Sequence, residues 1–275
     1  MDGVDVTAED FGVKGPRGWA FRGVGFSAEA GSLVAVEGPS GSGRTSLLLA
    51  LTGRMKPSAG TAVVGGLALP RRMAAVRKIS AVANMAGVTD LEPALTVAEH
   101  LRERALLQRR FGDSLREALR PRPDRVHEAR LRADAALAAA GLDPDTLPKG
   151  SRTPVRDLER LEALRLSVAL ALVGRPGLLA VDDAEVRLSA EERAEVWTLL
   201  RSLTRTGTTV LAVCRTAPED CVVVSTETES ETKAEAEADT AAQSDPDPDP
   251  EPDTDTEAQT PKEADPDALT PARRA

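Results

Sequence analysis

Cysteine and histidine are scarce: Cys214, Cys221, His100 and His127 are the only ones in 275 residues. Two cysteines cannot build a disulfide framework, and no Cys-x-x-Cys or Cys/His spacing points to zinc. A histidine-rich metal centre is excluded on the same count. Long hydrophobic runs are missing too. The longest apolar stretch, around residues 166–173, falls well short of the ~20 residues a spanning helix needs. The opening segment, MDGVDVTAEDF, has no basic and then apolar layout, so no secretory signal is read there. A soluble, cytoplasmic-type protein is expected.

The first four fifths of the chain also lack a dominant charge. The whole carries 35 Lys+Arg against 44 Asp+Glu, a net of −9. Residues 225–275 hold 16 acidic and 4 basic residues, a net of −12, which leaves +3 for residues 1–224. The acidity therefore belongs to one tail and says nothing about partners of the core. That tail has no aromatic residue or isoleucine and a single leucine, Leu269. It cannot bury enough apolar surface to offset its ordering entropy and is expected to be disordered. Two roles stay open for it: a solvated, self-repelling solubility tail, or a docking tail for a basic partner.

Residues 1–224 read as one domain in which strands alternate with helices. Residues 33–36, 178–181 and 208–213 are short apolar runs bounded by turn residues, as buried strands are. A helix is expected over 45–54. Another is expected over 190–204, where Ser189 is followed three residues later by Glu192. This alternation argues for an α/β fold with a mostly parallel sheet. Between about 95 and 173 the composition turns Arg- and Ala-rich, with helical periodicity over 96–109 and 124–140, and reads as a helical insert. Glutamates interleave with its arginines, the mark of a solvated helix face, so no nucleic acid is expected as a partner.

The most informative segment is a strand, then Gly38-Pro39-Ser40-Gly41-Ser42-Gly43-Arg44-Thr45-Ser46, then a helix. It matches G-x-x-x-x-G-K-[ST] at every fixed position except the lysine, which is Arg44. Glycines let such a loop turn back so that successive N–H groups converge on phosphate oxygens, and the helix N-terminus adds positive potential. Thr45 offers a hydroxyl for Mg²⁺. The competing reading is a Gly/Ser turn with no ligand.

GSLVAVEGPSGSGRTSLLLALTGRMKPSAGTAVVGG resembles the phosphate-loop block of ABC transporter ATP-binding subunits, a P-loop NTPase family. LEPALTVAEHL resembles the segment after that family's Q-loop, VALALVGRPGLLAVDD its Walker B region, and GTTVLAVCR the strand ending at its switch histidine. The resemblance spans nearly all of residues 1–224. It implies a P-loop sheet with an N-terminal β-rich part, ATP and Mg²⁺ as ligands, and a second ATP-binding subunit, identical or different, as partner. It also implies a membrane-spanning permease from another chain, docked on the Asn84 region and the helical insert, that would hold the protein at the inner face of the membrane. By resemblance Asp182 holds Mg²⁺, with Asn84 a further metal candidate at the Q-loop position.

The chain departs from the family at the residues of chemistry. Arg44 replaces the loop lysine, and a planar guanidinium is larger than a compact ammonium. Asp183 stands where the family has a catalytic glutamate, and its reach is shorter by one bond. Arg215 stands at the switch histidine and is not a proton-handling group at neutral pH. Both are kept as catalytic candidates. The signature motif falls on Leu158-Glu159-Arg160-Leu161-Glu162, without glycines. There 155–173 reads as one helix beginning near Pro154, which would place the free N–H groups elsewhere. Phe11 and Trp19 are candidates to stack on adenine, with core packing as the alternative. The functions that follow are a transport ATP-binding subunit with weak hydrolysis on its own, a regulatory nucleotide-binding pseudo-ATPase, or an interaction protein with a vestigial loop.

Overall fold

Two sheets carry the fold, and they differ in how their strands run. The computed structural model describes residues 3–111 and 122–226, with side chains described for 3–108 and 126–226. The disorder expected of the acidic tail falls outside the described residues. In chain order the elements are β1 (Val6–Gly15), β2 (Gly18–Ala28), β3 (Leu33–Glu37), α1 (Arg44–Leu51), β4 (Ala59–Val64) and β5 (Leu67–Leu69). Then come α2 (Met73–Ile79), β6 (Ser80–Ala83), α3 (Val97–Phe111), α4 (Arg122–Ala139) and α5 (Arg160–Leu172). The last are β7 (Leu178–Val181), α6 (Ala190–Arg205), β8 (Thr209–Val213) and β9 (Val222–Ser225).

The smaller sheet is antiparallel, in the order β2-β1-β4-β5. The larger is wholly parallel, in the order β6-β7-β8-β3-β9. Its central strands are buried on both faces, which is why they read as continuous apolar runs. Alternation divides each strand between two cores. Val34, Val36, Leu211 and Val213 face a core shared with α1 and the antiparallel sheet. Ala35, Leu179, Val181 and Val210 face a core filled by the helices on the other side.

Local signals set the helix ends. Ser189 and Glu192 form the expected reciprocal cap on α6: the Glu192 N–H donates to Ser189 Oγ at 3.2 Å, and Ser189 N–H donates to Glu192 Oε2 at 2.7 Å. Helix α1 stops earlier than Arg54, because Gly53 turns the chain with φ 69° where a Cβ would come within 2.6 Å of the Met73 carbonyl oxygen. The insert contains α3 and α4 close to the expected bounds.

The helix expected over 155–173 is corrected. Residues Val155–Asp157 form a separate 3-10 turn, Leu158 and Glu159 are extended, and α5 begins at Arg160. Long-range bonds hold that turn apart: Val155 N–H donates to the Leu95 carbonyl at 2.9 Å and Arg156 N–H to the Pro93 carbonyl at 3.1 Å. The other end of the fold also differs from expectation. Strand β9 runs through Ser225 and Thr226 is buried, so the described fold extends past the boundary expected at Val224.

Candidate functional site

A parallel sheet ends all its strands at one edge, and the loops leaving that edge are where ligands bind in open α/β sheets. Reading across it, β6 delivers Asn84, β7 delivers Asp182, β8 delivers Cys214 and Arg215, β3 delivers Gly38, and β9 delivers Thr226. Topology thus gathers residues from five distant stretches on one line.

Beyond β3 the loop turns on glycines with positive φ: 148° at Gly38, 91° at Gly41 and 86° at Gly43. Gly38 is tightly packed, since a Cβ there would fall 2.7 Å from Ser42 Oγ and 2.9 Å from Thr226 Oγ1. Those two hydroxyls lie 2.7 Å apart. Gly43 is pressed against the Ala20 carbonyl of β2, so the antiparallel sheet braces the loop from outside. Gly41, by contrast, faces open space. Helix α1 starts here with no capping side chain and no acidic residue in its first turn. Its first N–H groups have no acceptor within the helix, as at any helix start.

Two of the expected side chains, Thr45 and Asp182, meet at this loop, while Arg44 and Asn84 bind the neighbouring strand ends. Thr45 Oγ1 donates to Asp182 Oδ2 at 2.8 Å. Asp182 is 4% exposed, and burial pushes its carboxyl above the ordinary range. The Thr45 hydroxyl and the Arg44 charge pull it back, while Asp183 adds to the rise. Arg44 does not lie along the loop: its Nη1 donates to the Cys214 carbonyl at 2.8 Å, at the end of β8. Asn84 adopts φ 52° and turns its amide on the backbone, with Nδ2 donating to the Asp182 carbonyl at 2.9 Å and the Asp183 carbonyl at 3.2 Å. These bonds tie the end of β6 to the turn after β7.

Asp183 sits next to this cluster, exposed, with φ 45°. The Arg215 side chain is exposed, and its backbone N–H donates to Glu185 Oε2 at 3.1 Å. Glu185 also accepts from Trp197 Nε1 at 2.8 Å. That carboxylate ties the turn after Asp183 to the turn after β8 and to α6, a role the sequence did not signal. Phe11 is fully buried and stacks obliquely on Phe21, with ring centroids 6.0 Å apart, so core packing claims it. Trp19 is 44% exposed with Lys14 Nζ 5.9 Å from its ring.

The start of α5 overturns one expectation directly. Because α5 begins at Arg160, its free N–H groups do lie at the signature position. Carboxylates already serve that tip: Glu162 Oε2 accepts from the Glu159 N–H at 2.8 Å. Arg160 Nε reaches back to the Val186 carbonyl at 3.4 Å.

The donor set suits a magnesium-bound polyphosphate: an open glycine loop of N–H groups, a cation, and a threonine and aspartate already in contact through hard oxygens. A site of this build at the carboxyl edge of a parallel sheet, braced by a separate antiparallel sheet, defines an ATP-binding cassette. The family model described as ABC transporter matches residues 21–186, and the chain belongs to that family. It is 31% identical over 186 residues to the Nod factor export ATP-binding protein I of Cupriavidus metallidurans, covering 66% of this chain and 54% of that one. It is 30% identical over 184 residues to the ABC-type transporter claG of Penicillium crustosum, covering 67% and 23%. The chain thus spans at most about half the length of these two relatives. Among solved structures, cbiO1 of Clostridium perfringens, part of the ABC transporter complex cbiONQ, matches with TM-score 0.63 at 18% identity over 86% of this chain and 93% of that one. A dimeric ATP-binding cassette in a post-hydrolysis state with ADP and Pi matches with TM-score 0.60 at 21% identity, covering 77% and 88%. Both share the fold. Among the described residues no helix is long and apolar enough to cross a membrane.

Proposed function

We propose that this chain is the nucleotide-binding subunit of a transport complex, that it holds Mg·ATP on residues 38–46 with Thr45 and Asp182, and that it turns ATP over slowly by itself. The observation that carries the reading is the contact of Thr45 with Asp182 at the foot of an open, glycine-built loop. Mg²⁺ would be held there by the Thr45 and Asp182 oxygens and would neutralise phosphate charge when bound. Slow turnover follows from the residues around it. Phosphoryl transfer depends on positioning and charge neutralisation. Here Arg44 is engaged at Cys214, Asp183 is a short carboxylate, Arg215 is turned to solvent, and the α5 tip carries glutamates. In a pair of cassettes, that tip would present like charge to a partner's phosphate.

In this reading a permease segment would dock at the side of the helical insert. Between α3, α5 and the stretch after β6 lies a groove of about 410 Å³ with apolar walls such as Val88, Leu91 and Leu107. Arg54, Arg104, Asp90 and Glu103 also line it, so charges of both signs are present. Burial, then the charges of Arg104 and Arg77, lowers the Arg54 pKa to about 10.

Calorimetry with Mg·ATP, together with phosphate release, tests the proposal. A nucleotide at a hundred times its Kd stabilises by about 2.7 kcal/mol. In a core of this size that raises Tm by about 5–10 °C. No heat and no rise in Tm would remove the nucleotide reading. Steady release near ordinary rates of ~10 s⁻¹, lost in Asp183→Ala, would remove the slow-turnover part. Arg44→Lys is expected to bind Mg·ATP about threefold tighter or better, because the ammonium is freed from the Cys214 carbonyl to serve the phosphates. Weaker binding would mean that the loop has been rebuilt around the guanidinium.

A further inference from the structure

Charge is unevenly spread along residues 1–224. From Gly38 through Thr89 there are seven basic residues and no acid, although residues 1–224 carry a net of only +3. Arg44 belongs to the phosphate loop, and the fold gathers the other six around one junction. The end of α1 meets the start of α2 at Gly53, where an added Cβ would come within 2.6 Å of the Met73 carbonyl oxygen. Arg54 and Lys56 follow Gly53, while Arg71 and Arg72 precede Met73. Arg77 and Lys78 sit in the last turn of α2, a helix only about 10 Å long. Arg77 Nη1 donates to the Gly53 carbonyl at 2.8 Å, which ties that turn to the end of α1. Arg54 is half-buried, and Lys56, Arg71, Arg72, Arg77 and Lys78 are exposed. Among the described residues, none of the six forms an ion pair with a carboxylate. The helical insert is built differently: Arg130 and Arg132 each pair with an acid one turn away, Asp134 and Glu128.

We propose that the junction of α1 and α2 is a contact surface for an anionic membrane, whose lipid headgroups supply the counter-charge that the chain itself withholds. Cations of one sign repel one another, and a broad negative surface relieves all of them together. The patch borders the groove assigned above to the permease segment. Arg54 lines that groove, and after burial it is the charges of Arg104 and Arg77 that lower its pKa. Asp90 and Glu103 give the groove itself mixed charge, so the single-signed surface is the junction beside it. The choice of a bilayer rests on the transport-subunit reading, since a cassette docked on a membrane-spanning partner turns its docking side toward lipid. Nucleic acid fits less well, because residues 53–58 and 71–79 hold no aromatic side chain to stack on a base. Attraction of the molecule as a whole is excluded, because the full chain carries −9. Binding has to come from a local patch held within about one screening length of the headgroups, ~10 Å at 0.1 M salt.

The test sediments the full chain with vesicles of phosphatidylcholine alone, or of phosphatidylcholine and phosphatidylserine at roughly 7:3, and measures the Kd for Mg·ATP on the same protein. Binding is expected to the mixed vesicles only, and to weaken strongly between about 0.05 M and 0.5 M NaCl. Each Lys or Arg near an anionic surface contributes about fivefold in partitioning. The Arg71→Gln/Arg72→Gln/Lys78→Gln variant is therefore expected to bind about tenfold more weakly or worse. The Arg17→Gln/Arg22→Gln/Arg205→Gln variant, which removes the same charge from exposed positions elsewhere, should stay within about twofold of the parent. Both should keep the parent's Tm within about 2 °C, since exposed side chains contribute little to stability. Equal loss in the two variants overturns the proposal, and so does equal binding to neutral vesicles. Tighter binding of a DNA duplex than of vesicles, with the same dependence on Arg71, Arg72 and Lys78, also overturns it and gives the patch to nucleic acid. No vesicle binding by a parent that binds Mg·ATP removes the membrane contact and leaves the nucleotide reading intact. Vesicle binding that depends on those three residues in a protein that ignores Mg·ATP keeps the contact and removes the nucleotide reading instead.

Discussion

Gly43→Ala is expected to abolish Mg·ATP binding and to lower the unfolding free energy by about 3–5 kcal/mol, the sum of two separate costs. Gly43 has φ 86°, which an L-residue adopts only under strain. In addition, its Cβ would press into the Ala20 carbonyl and come within 3.2 Å of Phe21 Cβ. A backbone carbonyl in a paired strand cannot step aside as the end of a lysine can. Gly41→Ala is the control: its φ is 91° but nothing lies within 4 Å of the added methyl. It should cost only the strain, about 1–2 kcal/mol. Urea unfolding of both variants checks this. If the two cost the same, the antiparallel sheet does not brace the loop.

Asp182→Asn is expected to split stability from binding. Burial raises the Asp182 pKa in the folded protein, while unfolding returns it toward 3.8. The folded state therefore holds that proton more tightly, and stability falls as pH rises from the unfolded value through the folded one. Above both values the cost is fully present, and below both it vanishes. Asparagine removes the charge and keeps an oxygen for Thr45, so the nucleotide-free variant should melt higher than the parent at pH 7. That gain should disappear in acid, below the unfolded pKa. Affinity for Mg·ATP should fall about tenfold or more, since a charged oxygen facing the metal is lost. A variant that melts lower at pH 7 would show that the hydrogen bonds of Asp182 outweigh its desolvation.

What was legible in the sequence follows from the range of the forces involved. The loop from Gly38 to Thr45 is local: its glycines and its Thr45 are demanded by backbone geometry within eight residues. Three of the five parallel strands, β3, β7 and β8, were legible because burial on both faces leaves an unbroken apolar run, whereas β6 and β9 were not read. The start of α5 was not, since apolar periodicity runs on through 155–173 and glutamate is a weak cap signal. Only Leu95 and Pro93, far upstream, pull Val155 and Arg156 out of the helix. Phe11 was ambiguous for the same reason, because its partner Phe21 belongs to another strand. Asn84 looked like a metal candidate from the resemblance alone; the bonds of its amide nitrogen to the carbonyls of Asp182 and Asp183 had no local signal. Thr226 gave no signal at all: it is a buried residue at the head of a polar, acidic segment.

The order of strands has a consequence for how the protein is made. Strand β3, which launches the phosphate loop, pairs with β8 on one side and β9 on the other. Both neighbours are among the last parts of the core to be synthesised. At ~5–20 residues per second, β3 leaves the ribosome on the order of ten seconds before either arrives. For that interval an apolar strand has two naked edges, the template for wrong pairing. Newborn chains of this protein should therefore be clients of holding chaperones, and a message broken before β8 should yield aggregates rather than a smaller folded fragment.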